Sequence, residues 1–243
     1  MVDSSRRPVL ARLVQACREA GVAGIELGFP FSDPMADGPV LQGAASRALD
    51  HGTHWSDLLD GLRLVSRELP TAVMTYANPV FHRGLPRACE EIAAAGGSAL
   101  IVPDLALEES GPWRAAARRA GLALVQMGSP ATPRARIRAL SESSAGFLYL
   151  VSRFGTTGRG SRLSGSELTA LVSESHRVRP GLPVLIGFGV RTAADVGPVR
   201  ASGADGAIVG SAVEEVLTHS THPGRLVRFL RPLARGLSSI RTG

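Results

Sequence analysis

The fold class predicted by this sequence is a parallel (β/α)8 barrel of the TIM type, formed as one domain over residues 1–243 with seven strands visible. Three observations lead there. Short β-rich runs alternate with longer amphipathic stretches along the whole chain, which is the pattern of a parallel sheet covered by helices. The number of such units suits a closed barrel better than an open sheet. The last two strand ends carry glycines, where barrels of this class commonly hold a phosphate.

The elements follow in order. The chain opens on "RRPVLARLVQACREAG", a helix whose Val9, Leu10, Leu13, Val14 and Cys17 share an apolar face. The strands are "AGIELG" (23–28), "AVMTYA" (72–77), "ALIVPD" (99–104), "LALVQM" (122–127), "GFLYLV" (146–151), "PVLIGFG" (183–189) and "GAIVG" (206–210). Between them, "WSDLLDGLRLVSREL", "LPRACEEIAAAG", "SGPWRAAARRAG" and "SGSELTALVSESHRV" carry apolar residues at helical spacing. Gly21, Gly96, Gly121 and Gly203 mark helix ends just before strands. A barrel should open with a strand, so the missing one is the first.

Composition narrows the chemistry. All 27 basic residues are arginine, so a lysine Schiff base is excluded, including any pyridoxal phosphate enzyme built on this chain alone. The net charge of +6 is spread over the chain without an aromatic-plus-basic motif, which argues for helix surfaces and an anionic substrate over nucleic acid. No run of about 18 apolar residues and no secretory leader is evident, so a cytoplasmic protein is expected. Cys17 and Cys89 read as buried thiols, and the six histidines read as surface residues, with no metal site and no cofactor expected.

The stretch "GIELGFPFSDPMADGP" (24–39) draws attention because a glutamate interrupts an apolar strand. If Ile25 and Leu27 pack on the helices, Glu26 points to the opposite face, near the strand's carboxyl end. A buried ion pair with an arginine is the plain alternative. The proline-stiffened loop favours chemistry, since Asp37 returns over the same mouth and two acids then face one substrate. Asp33 reads as a turn or capping residue. Tyr76 and Tyr149 fall on strands, either as core or with their hydroxyls at the mouth. "GFGV" (187–190) and "GAIVGSAV" (206–213) place backbone N–H groups and a helix start where a phosphate would sit. The loop 152–165 reads as a mobile lid or a long surface loop.

Taken in order and spacing, "IELGFPFSDPMADGP", "YANPVF", "VPDLALEES", "LVSRFGTTG", "GFGV" and "GADGAIVGSA" resemble the α subunit of tryptophan synthase. The resemblance implies cleavage of indole-3-glycerol phosphate to indole and glyceraldehyde 3-phosphate, in an α2β2 complex with a pyridoxal-phosphate-dependent β subunit. By position it implies Glu26 as general acid/base and Asp37 as acceptor of the indole N–H. Tyr149 would line the site, and Thr157 on the lid would meet Asp37. Gly158, Gly189, Gly210 and Ser211 would bind phosphate, while Phe188, Met74, Ile101, Met127 and Ile208 would form an apolar indole pocket. Asp33, Asn78 and the loop around Pro103 match the face toward the partner. The family's first helix and strand precede the point where this chain starts, so a strand upstream of Met1 is expected. Two alternatives stand beside this reading: a non-catalytic homologue that modulates a β subunit, and a stand-alone indole-releasing lyase of a specialised pathway.

Overall fold

The first helix, α1 (Arg7–Glu19), carries Pro8 in its first turn, where the missing N–H costs nothing, and buries Leu13, Val14, Ala16 and Cys17. The computed structural model describes residues 1–129, 131–151, 165–187 and 189–238. Its helices and strands alternate as the periodicity requires, and the chain packs as two compact units.

The first unit comprises residues 1–124 and 214–230. After α1 come β1 (Ile25–Gly28), α2 (Pro39–Asp50), α3 (Trp55–Val65), β2 (Thr71–Met74), α4 (Ala77–Arg83), α5 (Leu85–Ala94), β3 (Ala99–Ile101) and α6 (Ser110–Ala120). β1 pairs with β2 and β2 with β3, all parallel, so Gly28, Met74 and Ile101 stand in one row across the three strands. Leu27, Val73 and Leu100 lie on the helix-covered face, in a core with Leu58, Leu62, Val80, Ile92 and Trp113. At the carboxyl end of β1, Val2 is itself buried and its N–H donates to the Gly28 carbonyl at 2.7 Å. Met1's ammonium and Arg6 both bind the buried Glu214 carboxylate, at 2.6 and 2.8 Å. Burial alone would raise Glu214, yet these two cations pull it down to about 2.

The second unit holds β4 (Ala123–Gly128, from Val125 on), α7 (Arg134–Ser143), β5 (Leu148–Val151), α8 (Gly165–Val178), β6 (Val184–Gly187), α9 (Val196–Ala201) and β7 (Gly206–Ile208). Its strands are parallel in chain order, β4 to β5 to β6 to β7. Leu150 and Ile186 are buried, as are Ile137 on α7 and Leu171 and Val172 on α8. The chain ends in α10 (Ser211–His219) and α11 (Pro223–Ser238).

All seven expected strands are present, six of them shorter than their β-rich runs and β4 of equal length but shifted by one residue. One such change is after Met74, where the sequence suggests strand through Ala77. There the Asp104 carboxylate accepts the Ala77 N–H at 2.9 Å and starts α4, so Tyr76 is the residue before a helix and not part of a strand. Much of the arginine charge is spent on helix surfaces, as in the Arg83–Glu91 pair at 2.6 Å and the Arg177–Glu174 pair at 2.7 Å. No described helix is long and apolar enough to cross a membrane.

Candidate active site

Strand alternation decides where Glu26 points. Leu27 belongs to the helix-covered core, so Glu26 emerges on the opposite face of β1, the face shared by Met74 and Ile101 one step nearer the strand ends. The Glu26 Oε2 atom is buried and has no hydrogen-bond partner. Among the described residues no arginine pairs with it, so the ion-pair alternative is set aside. Burial is the main force pushing its carboxyl up to about 7, with Met1's ammonium opposing and the Asp37 charge adding to the rise. Near neutral pH such a group is populated in both its protonated and ionised forms.

The loop after β1 brings in the second carboxylate. Ser32 Oγ donates to Asp33 Oδ2 at 2.5 Å and Met35 N–H to the Asp33 carbonyl at 2.9 Å, so Asp33 organises a turn, as its place before Pro34 suggests. Asp37 N–H closes on the Pro34 carbonyl at 3.0 Å, and Gln42 Nε2 donates to the Asp37 carbonyl at 2.8 Å. Pro39 then opens α2. Asp37 is 6% exposed, and Tyr76 Oη donates to its Oδ2 at 3.1 Å. Burial raises Asp37 above the ordinary carboxylate range, against the Tyr76 hydrogen bond and Met1's ammonium. Tyr76 is likewise raised, first by burial and then by the Asp37 charge. In the first unit, Glu26, Asp37, Tyr76, Met74 and Ile101 are thus gathered at the carboxyl end of the strands.

In the second unit, Met127, Tyr149 and Leu185 stand in register, and Gly187 stands beside Ile208. These residues share the face opposite Leu150 and Ile186. Tyr149 is buried, and its ring lies so close over Gly187 that a Cβ there would meet Cε2 at 2.0 Å and the hydroxyl at 2.3 Å. Gly187 is therefore the seat of Tyr149, a role that its glycine-rich context hid behind the phosphate reading. Gly189 has φ +93°, a conformation suited to glycine. Gly210 is exposed and directly precedes Ser211, the first residue of α10. Thr157, Gly158, Phe188 and the lid segment 152–164 lie outside the described residues.

The family model for the tryptophan synthase alpha chain matches residues 5–230. The chain belongs to the tryptophan synthase α-chain family. It is 44% identical to the tryptophan synthase alpha chain of Synechococcus sp. (strain CC9902) over 207 residues, which cover 84% of this chain and 76% of that one. To that of Methanosarcina acetivorans it is 41% identical over 230 residues, 93% of this chain and 81% of the relative. Among solved structures, tryptophan synthase of Mycobacterium tuberculosis superposes with a TM-score of 0.84 at 35% identity, covering 95% of this chain and 87% of that one. The α2β2 tryptophan synthase complex of Pyrococcus furiosus matches with a TM-score of 0.80 at 28% identity, covering 96% and 92%. The fold is accordingly of the (β/α)8-barrel class, with seven strands among the described residues. As a tryptophan synthase α chain, the protein is a lyase that cleaves indole-3-glycerol phosphate in tryptophan biosynthesis.

Sequence reasoning missed Gln42, Gly187 and the link between Tyr76 and Asp37. Only Tyr76 left a trace in one dimension, as one of two tyrosines in the chain, close to a strand's carboxyl end. Gln42 and Gly187 owe their roles to neighbours far along the chain or across the sheet, which no local pattern announces.

Proposed function

We propose that Glu26 is the general acid/base of this lyase and that Asp37 accepts the indole N–H. Breaking the bond from indole C3 to the glycerol chain is a retro-aldol step. It needs a proton delivered to C3, stabilisation of positive charge on the ring nitrogen, and removal of the proton from the hydroxyl on the carbon being released. The electrons of the broken bond return to the ring, giving indole, and the released carbon becomes the aldehyde of glyceraldehyde 3-phosphate. Two carboxylates supply these needs when one exchanges protons near neutrality and the other stays ionised. The observation that carries the reading is the buried, unpartnered Oε2 of Glu26, raised to about 7.

By their places in the family's pattern, Met74 and Ile101 of the first unit and Met127, Tyr149 and Ile208 of the second are assigned to indole binding, with Phe188. Gly189, Gly210 and Ser211, together with Gly158, receive the phosphate through backbone N–H groups, aided by the start of α10. The chain assembles with a β subunit in an α2β2 complex, as the P. furiosus enzyme does, through Asp33, Asn78 and the loop around Pro103. It works in the cytoplasm; its cysteines, both free and buried, suit a reducing compartment.

The test is steady-state release of indole by wild type and Glu26→Gln, with and without a β subunit. Loss of turnover with KM nearly unchanged is the expected result. Retention of more than a few per cent of the rate removes Glu26 from the role.

A further inference from the structure

The Asp37 loop is fastened to the end of β2 by one side chain. Tyr76 is 4% exposed; its hydroxyl accepts the Ala36 N–H at 3.0 Å and donates to Asp37 Oδ2 at 3.1 Å. An amide N–H can only donate and a phenol has one proton, so the contact to Ala36 orients the hydroxyl and leaves its proton for the carboxylate. The Phe31 ring, 5.4 Å away between centroids, braces the Tyr76 ring within the same loop. Asp37 Oδ1 has no hydrogen-bond partner among the described residues.

We infer that Tyr76 is a positioning residue for the lyase reaction: it holds one oxygen of Asp37, keeps the carboxylate charged, and turns the other oxygen toward the substrate's N–H. The inference rests on the role of Asp37 proposed above. Hydrogen bonds to an ionised acceptor are among the stronger ones, and this one is largely removed from solvent. The acceptor therefore keeps its orientation before substrate arrives, which lowers the cost of reaching the reactive geometry.

The charged and titratable groups facing this pair are Glu26 on β1, Met1's ammonium, and Asp104 in the segment after β3, which faces Tyr76. Burial drives Asp37 upward and the Tyr76 proton opposes it. Deleting the hydroxyl removes that opposition, so Asp37 protonates at higher pH and the acid limb of the rate profile moves up. A residue that only filled space would leave that limb in place.

Tyr76→Phe keeps the ring and removes the donor. With the full chain bound to a β subunit, it is expected to lower kcat for indole release about tenfold or more, hold KM within about threefold, and move the acid limb up by about one pH unit. Site-specific 3-fluorotyrosine at position 76, a stronger donor of nearly the same size, should move that limb down. Opposite shifts for the two replacements support the inference. An unchanged limb in Tyr76→Phe, or shifts in the same direction, overturn it, and if Tyr76→Phe fails to fold by circular dichroism the fluorotyrosine shift alone decides. Asp37→Asn is measured in parallel. An inactive Asp37→Asn beside an unchanged Tyr76→Phe profile refutes Tyr76 alone, whereas a fully active Asp37→Asn removes Asp37 and Tyr76 together.

Discussion

Replacing Glu26 by glutamine should make this enzyme inactive and, at alkaline pH, more stable. The carboxyl moves from an ordinary value of 4.5 to about 7 in the folded chain, mainly because its oxygens are withdrawn from water. The sign follows from proton counting. Between these two values the folded state holds a proton that the unfolded state has released, so stability falls as pH rises through the window. Below about 4.5 the group costs nothing; above about 7 the full cost is present, roughly 3 kcal/mol for a shift of that size. That is a large share of the roughly 5–15 kcal/mol that holds a typical domain together. Glutamine carries no charge and escapes it. Urea unfolding of both proteins at pH 5 and pH 9 measures the effect as a difference of differences. The gain in Glu26→Gln should be small at pH 5 and roughly 2–3 kcal/mol at pH 9. Asp37 is raised too, but it is present in both proteins, and losing its like-charged neighbour changes the difference in the same direction. A gain of equal size at the two pH values would refute the claim that Glu26 is held above the normal carboxylate range.

Other expectations can be checked with the same preparations. Asp37→Asn should lower indole release steeply, since an amide cannot offset positive charge on the ring nitrogen; an unchanged rate would leave Asp37 with a role in loop structure only. Gly210→Val should raise KM for the phosphorylated substrate by about tenfold or more, because a side chain would block the backbone approach; if one arginine substitution did this and Gly210→Val did not, the phosphate is bound elsewhere. Gly187→Ala should displace the Tyr149 ring, whose Cε2 lies 2.0 Å from the position of the new Cβ, and lower stability by about 1–3 kcal/mol in urea unfolding; a wild-type midpoint with an unmoved ring would contradict the contact. Glu214, held at about 2, stabilises the fold above its unfolded value of 4.5 and ceases to do so as pH falls through about 2, so Glu214→Gln should be less stable than wild type at pH 7 and converge with it in strong acid. Parallel melts at pH 7 and pH 2 would show whether the gap closes.

The residues that periodicity governs were legible from the chain alone. Strand and helix alternate because apolar side chains repeat every two or every 3.6 residues, and that local signal placed all seven strands and the inward direction of Glu26. The "FSDP" and "ADGP" segments could be read as a stiff, acidic loop for a similar reason, since proline and aspartate restrict their own backbone. The tertiary structure decided the matters that depend on distant neighbours. It alone shows that Glu26 Oε2 lacks a partner, because burial of one atom depends on everything packed around it. It ends β2 before Tyr76, because Asp104, 27 residues from Ala77, caps the next helix. It gives Tyr76 to Asp37 across 39 residues and Tyr149 to Gly187 across two paired strands. Hydrogen-bond partners and close packing are properties of space, and a sequence records only which groups are available to be brought together.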